Sequence, residues 1–332
     1  MQLVGPVKIT GGGVDDEVKV PLATFETTLW PSTNRGAKAT RLAGGVNCVL
    51  LSDQMTRSLM VEAQTVQQAA GIQQSVQQDV ASIKAVVEQT SQYACFLDLQ
   101  CQQVSQMLII RLSIQPGDAA GHNMVTKAAD AVMQWLLQQY PALKYVSISA
   151  NCCTDKKVSA INAILGRGKH IIAESIVPQD VCQSVLKTTP QAIVDCHIKK
   201  NLIGSIQAGS LLSANAHFAN ILLAVYLATG QDAANIVEGS QGMTHAECRD
   251  GDLYFSVNLP NIIVGTVGHG KHHQQIQQNL AQLGCLSQTA HNSRRLAAII
   301  AATVLCGELS LMAALTNPGE LMRSHIAFER KG

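Results

Sequence analysis

Ser149-Ala-Asn-Cys-Cys-Thr-Asp-Lys-Lys-Val-Ser-Ala-Ile-Asn-Ala-Ile-Leu-Gly-Arg-Gly-Lys169 carries more information than any other stretch of this chain. Asp155, Lys156 and Lys157 sit together between an expected strand, Leu143–Ser149, and an expected helix. A lone Asp-Lys-Lys is an ordinary solvated turn, because loops are normally polar. This one is bracketed by Ser149, Asn151 and Thr154 on one side and by Arg167 and Lys169 on the other. So many donors around one carboxylate suit an anionic substrate.

The 332 residues suffice for two domains, or for one domain with a large insertion. Hydrophobic residues make up 47% and charged residues 14%, which fits a large buried core, often shared with a second subunit. A net charge of +1 lacks the basic footprint of a nucleic-acid binder. Any anionic ligand must therefore be met by a local cluster. Met1–Pro6 has neither a basic nor an apolar leader region, so no secretory signal is expected. The ten cysteines include no Cys-x-x-Cys, and neighbouring Cys152 and Cys153 are badly placed to chelate zinc. The expectation is reduced thiols in a cytoplasmic protein without a metal. Leu296–Leu315 is almost wholly apolar, but Glu308 lies inside it and Arg294-Arg295 precede it. It reads as a buried helix and not as a membrane span.

Outward from the opening stretch, residues 1–58 are expected to hold short strands, with glycine turns at residues 11–13 and 44–45. In Gln64–Gln89 apolar Val66, Ala69, Ile72, Val76, Val80, Ile83 and Val87 recur at three- and four-residue steps, a helical face. Met107–Ile114 reads as a strand, and Asn123–Tyr140 as a helix with Val125, Ala128, Ala129, Val132 and Leu136 on one side. Leu211–Thr229 is expected as a helix stopped by Gly230. Leu253–Leu259 is expected as a half-buried strand after the turn 249–252.

Gly265-Thr-Val-Gly-His-Gly-Lys-His272 nearly matches a phosphate-binding loop, which makes a nucleotide triphosphatase the chief rival reading. It fails at His272, where a magnesium-holding hydroxyl is required, and no downstream apolar strand ends in Asp. His269, His272 and His273 are expected to lie on an exposed loop rather than on a metal.

The opening string, together with three further segments, resembles the class I 3-hydroxy-3-methylglutaryl-coenzyme A (HMG-CoA) reductases. The segments are Ala23–Gly36, with Glu26 ahead of a basic turn; Asn201–Ser210 with Asn215–Asn220 and Gly230–Ala234; and Gly307–Leu315 followed by Arg323-Ser324-His325. They occur in the family's order and span nearly the whole chain. The resemblance implies an α+β fold. A large helical domain, residues 1–58 and 148–332, would carry substrate and catalytic residues. A small ferredoxin-like α/β sandwich, residues 59–147, would be inserted to bind the nicotinamide cofactor.

It further implies reduction of HMG-CoA to mevalonate and coenzyme A by two reduced nicotinamides, at a site between subunits of a homodimer or higher homo-oligomer. A non-catalytic acyl-CoA binder is a third reading, against which Glu26, Lys156, Asp232 and His325 all speak. Lys156 would stabilise the negative charge built by hydride attack. Glu26 would be the proton donor, kept neutral by a nearby Asp232. His325, on a C-terminal tail, would protonate the departing thiolate. Arg57, Ser149, Asp155 and Lys157, completed by Asn151, Lys200 and Asn220, would hold the substrate's carboxylate and hydroxyl. Asn34, Arg35 and Lys38 would meet coenzyme A phosphates.

The matching cofactor segments are Ser91, Gln92 and Tyr93; Asp118, Ala120, Gly121, His122 and Asn123; and Val267, Gly268, His269 and Gly270. The expected cofactor is NADPH with measurable NADH use, without a metal, a membrane or a nucleic acid. Three departures stand out. The chain opens at Val4-Gly5-Pro6 without the family's preceding Glu-Asn-Val-Ile-Gly stretch. Ala120 and His122 replace the two methionines of Asp-Ala-Met-Gly-Met-Asn, and Gln92 stands where an arginine is expected.

Overall fold

The computed structural model describes residues 1–288 and 291–329. The chain begins with a hairpin of β1 (Gln2–Gly11) and β2 (Asp16–Leu22), turned at the expected glycines. Helix α1 (Leu29–Leu42) follows, where strands and a basic turn were expected. Its poor helix formers explain the difference. Pro31 stands in the first turn, where its missing N–H costs no hydrogen bond. Gly36 sits so close to a later helix that a Cβ there would lie 1.8 Å from the Cys306 carbonyl oxygen. Tertiary packing outweighs local propensity here.

Strand β3 (Val46–Glu62) organises what comes after. Its first half, Asn47–Gln54, pairs antiparallel with β7 (Gly168–Val177). Its second half, Met55–Glu62, pairs antiparallel with β5 (Met107–Gln115). One strand thus belongs to two sheets. The larger runs β2-β1-β3-β7-β9-β8, with β8 at Met243–Arg249 and β9 at Asp252–Ile262. It gives the larger half more strand than the expected helical domain conveys. The smaller runs β4-β5-β3-β6, with β4 at Cys95–Val104 and β6 at Lys144–Ile148, every pair antiparallel.

Helices α2 (Val66–Gln78) and α3 (Val80–Gln89) cross from β3 to β4, and α4 (His122–Gln139) crosses from β5 to β6. This is the split β-α-β order of a ferredoxin-like sandwich. The glutamine-rich segment is helical, as its period implies, but it breaks at Asp79, whose carboxylate accepts from the Ser82 N–H and caps α3. Ala69, Ile72, Val76, Ile83 and Val87 are buried while Val66 is exposed. The five apolar residues expected on one side of α4 are all buried.

The rest of the chain adds α5 (Ala160–Leu165), α6 (Phe218–Ala228), α7 (Gln274–Gln282), α8 (Asn292–Leu315) and α9 (Glu320–Glu329). Helix α6 is shorter than the expected 211–229. Asn215 accepts from the Phe218 N–H and starts the helix late, because Ala214 bridges to Met243 beforehand. Gly230, at φ +64°, ends it as expected. The turn before β9 is the two-residue loop Asp250-Gly251, at φ +52° and +94°, a type I′ hairpin.

By length and composition α8 could cross a membrane, yet 94% of its most apolar window is buried inside the fold. Its Glu308 is fully buried and accepts from the Ala216 N–H, the His217 N–H and the Thr244 hydroxyl. A buried carboxylate is tolerable only when paired in this way. The Gly36→Ala variant tests the α1–α8 contact. Forcing a methyl into the Cys306 backbone should cost about 3 kcal/mol of unfolding free energy in a urea titration, and an unchanged midpoint would show that the helices separate freely.

Candidate active site

The loop between β6 and α5 is held in an unusual shape. Asn151, Thr154 and Lys156 all take positive φ, at +55°, +42° and +56°. Non-glycine residues adopt this region only when their surroundings impose it. Several groups do so. The Ser58 hydroxyl accepts from the N–H groups of Cys152 and Cys153, at 3.1 and 3.0 Å. The Ser149 hydroxyl accepts from the Asn151 N–H, and the Asn162 side chain donates to the Thr154 carbonyl. Glu238, fully buried, accepts from the Lys156 N–H at 3.1 Å, from Arg167 Nη1 at 2.9 Å and from Asn235 Nδ2 at 3.1 Å. Burial pushes the Glu238 carboxyl up from its ordinary value, and these donors work against that shift.

Arg167 was expected among donors facing a substrate, but it lies fully buried and ties Glu238 to Asp155, with its Nη2 3.0 Å from Asp155 Oδ1. Lys169 is also withdrawn. It is buried against Asp53 at 3.1 Å, and Arg294 reaches the same carboxylate at 2.8 Å. What remains in the open is Lys156, whose Nζ meets Asp232 at 2.7 Å. The Asp232 hydrogen bond raises the Lys156 pKa, so its ammonium is firmly charged. Burial pushes Asp232 up, but the Lys156 hydrogen bond, the Ala234 N–H and the Lys156 charge together outweigh it and leave the carboxyl below its ordinary value. Both line a cavity of about 680 Å³ together with Arg57, Asp155, His122 and Asn123. Arg57 Nη1 lies 3.9 Å from Asp155, and Lys157 Nζ folds back on the Asp155 carbonyl.

Glu26 lies elsewhere. Its Oε2 accepts from Asn220 Nδ2 at 2.9 Å, in a separate cavity of about 340 Å³ that also holds Arg35 and His217. The expected pairing of Glu26 with Asp232 is therefore absent within the chain, because Asp232 is spent on Lys156. Arg35 does not join Asn34 and Lys38. Its guanidinium turns inward to Ser310 and to Glu320 on α9. Asn34 and Lys38 instead line a shallow exposed pocket with Lys19 and Arg41. Lys200 is exposed on the helical turn 197–204 and lines neither the Glu26 cavity nor the Lys156 cavity. His325 lies on α9, and its side chain is outside the described residues.

The segments expected to bind a cofactor form two facing walls. Ala119 and Val267 are joined by a parallel bridge, and Gly265 is pressed against the Ala120 N–H, where a Cβ would approach to 2.5 Å. Ala120, Gly121, His122, Asn123, Val267, Gly268 and His269 line the Lys156 cavity, and Gly270 completes the loop. Beyond Val267 the groove opens into a second cavity of about 570 Å³, lined by Tyr93, Asp118, His291 and Arg294. Ser91 accepts from the Tyr93 N–H and Gln92 is exposed beside it. Asp118 caps α8 by accepting from the Ser293 N–H. The phosphate-loop reading fails on geometry as well. Lys271 is buried and donates to the Thr229 and Gly230 carbonyls at the end of α6, so it cannot reach a phosphate. Among the described residues no three His, Cys, Asp or Glu side chains cluster as metal ligands.

Sequence reasoning passed over three residues: Ser58, Glu238 and His217. The first two hold the loop from distant positions, and nothing in their neighbourhoods marks them. His217 lay inside a quoted segment, and its Nε2 bonds the Gly307 carbonyl while its ring lines the Glu26 cavity.

An α+β fold in which a cation and a carboxylate open between two glycine-lined walls has the form of an enzyme cleft for an anionic ligand. The sequence profile described as hydroxymethylglutaryl-coenzyme A reductase matches residues 1–330, and the chain belongs to this family. The 3-hydroxy-3-methylglutaryl-coenzyme A reductase of Aeropyrum pernix is 41% identical, over 99% of this chain and 79% of that protein. That of the sea urchin Strongylocentrotus purpuratus is 42% identical, again over 99% of this chain but over 36% of its own length. Among solved structures, the class II enzyme of Streptococcus pneumoniae bound to NADPH superposes with a TM-score of 0.76. It covers 95% of this chain and 84% of that one at 18% identity, which shows a shared fold.

Replacing Glu238 with alanine leaves Arg167 buried with half its partners. Breaking such a pair should cost about 3–5 kcal/mol. Hydrogen exchange of the Lys156 N–H should accelerate in parallel, and full protection there would mean that Glu238 does not hold the loop.

Proposed function

We propose that this chain reduces HMG-CoA to mevalonate and coenzyme A, with two molecules of NADPH consumed. The observation that carries the reading is the Lys156–Asp232 pair on a braced loop, opening between the cofactor walls. Each reduced nicotinamide supplies one hydride. Where hydride attack builds negative charge on the thioester oxygen, Lys156 would stabilise it. The carbon–sulfur bond of the resulting hemithioacetal then breaks, leaving an aldehyde and the coenzyme A thiolate, which takes a proton from His325. The second hydride reduces the aldehyde, and Glu26 delivers the proton that completes the alcohol. Asp155, backed by Arg57 and Arg167, offers a carboxylate to the substrate hydroxyl, and Lys157, Ser149 and Asn151 would hold the substrate carboxylate.

Glu26 and Lys156 occupy separate cavities of one chain, so we propose a homodimer in which the Glu26 cavity of one copy faces the Lys156 cavity of the other. Exposed Ile198, Ile203, Ile206, Leu211 and Leu212, on the segment that also carries Lys200, supply apolar surface for such a contact. A cytoplasmic location is consistent with ten free thiols.

For the cofactor we favour NADPH. Gln92 brings no charge to the ribose phosphate, but Arg294 lines the Tyr93 cavity and offers a guanidinium there.

Lys156→Ala should lower turnover about 100- to 1000-fold with the fold intact, as loss of an oxyanion donor does. Oxidation of NADPH followed by absorbance with HMG-CoA measures it, and near-normal turnover would remove Lys156 from this role. Gln92→Arg should raise the NADPH-to-NADH ratio of kcat/KM about ten-fold, whereas an unchanged ratio would place the 2′-phosphate away from residue 92.

A further inference from the structure

His122 occupies a position where the family motif carries methionine, and the chemistry of its ring can be read from its surroundings. It is the first residue of α4, follows Gly121, and lines the Lys156 cavity from the wall that Ala119 bridges to Val267. Its Nε2 is buried, has no hydrogen-bond partner, and lies 3.7 Å from Asp155 Oδ1. Burial and then the Arg167 charge push the ring down to about 4, so it is neutral at pH 7. A neutral imidazole carries one N–H, and the negative charge of Asp155, 3.7 Å away, favours it on Nε2. Nδ1 is then a bare lone pair. It is not among the buried unbonded atoms, and no protein donor takes it among the described residues. Lys156 and Arg57 crowd the same cavity with donors, so an unclaimed acceptor there awaits a donor from the ligand.

We propose that His122 Nδ1 accepts a hydrogen bond from the carboxamide N–H₂ of the bound nicotinamide and fixes which face of the ring meets the substrate. The inference rests on the reductase reading above. Two ligand groups could donate into this cavity, the carboxamide and the substrate's tertiary hydroxyl. The carboxamide is favoured because His122 stands on the cofactor wall, between Gly121 and Asn123 and opposite Gly268. The hydroxyl has Asp155 as its own acceptor. Methionine at this position offers only a weak thioether acceptor, so the chain adds a contact that the family motif lacks.

The test is calorimetric titration of the full chain with NADPH and with its 3-acetylpyridine analogue, in which a methyl ketone replaces the carboxamide and no N–H remains. His122→Met should weaken NADPH binding about five-fold, the loss of one neutral hydrogen bond, and leave the analogue's affinity unchanged. His122→Asn places an amide oxygen near Nδ1 and should keep NADPH within about two-fold of the parent. Equal weakening of both ligands by His122→Met, with His122→Asn showing the protein still folded, would overturn the assignment. So would unchanged NADPH binding, or a loss confined to HMG-CoA with 3-methylglutaryl-CoA unaffected, which would give the acceptor to the substrate hydroxyl. Failure of the parent protein to bind any reduced nicotinamide would instead overturn the reductase reading, and this proposal with it.

Discussion

The buried Arg167–Glu238 contact is the constraint on which the site depends. Two opposite charges withdrawn from water cost several kcal/mol each, and here the cost is offset only in part, since Glu238 Oε2 and Arg167 Nε have no hydrogen-bond partner. Here Glu238 also draws in the Lys156 backbone and Asn235, and Arg167 also draws in Asp155. The desolvated pair thus fixes two adjacent residues of the loop, the Lys156 backbone and the Asp155 carboxylate. Only then can Lys156 hold a left-handed conformation and direct its ammonium outward to Asp232. The pair supplies specificity of shape rather than net stability.

A second ionic group, Lys169–Asp53–Arg294, lies where β3 passes from one sheet to the other. Burial lowers the Lys169 pKa, and Asp53 opposes that shift. Asp53 takes a cation from β7 on one side and from the start of α8 on the other. The substrate-side sheet, the cofactor groove and the central helix are joined through one carboxylate. The two ionic groups carry different work, since the first shapes the Lys156 loop and the second seats the groove against the core.

Much of this was legible in the residues. The period of Val125 to Leu136 gave α4 its buried face, and Asp-Gly at 250–251 gave the hairpin. The polar string at 149–169 marked the loop that carries the exposed Lys156, because charge density is a property of sequence. Burial is not. Arg167 and Lys169 carry the same charge as Lys156, and only the fold decides that two of them turn inward. Helix α1 was hidden by Pro31 and Gly36, residues that local propensity counts against a helix while packing requires one of them. The separation of Glu26 from Asp232 was hidden for another reason. Shared order along a chain says which residues act together, and it does not say whether they belong to the same copy.

Strand β3 has a mechanical consequence. At about 3.3 Å per residue, its 17 residues form a rod on the order of 55 Å long, hydrogen-bonded along one half to the larger sheet and along the other to the cofactor sandwich. Swinging the sandwich as a rigid body would have to shear that rod at Gln54–Met55, against the Asp53 clamp beside it. The opposite wall is tied in as well, because Val267 bridges to Ala119 and Lys271 donates to the Thr229 and Gly230 carbonyls. The groove is thus a slot of fixed width, its spacing set by a single strand.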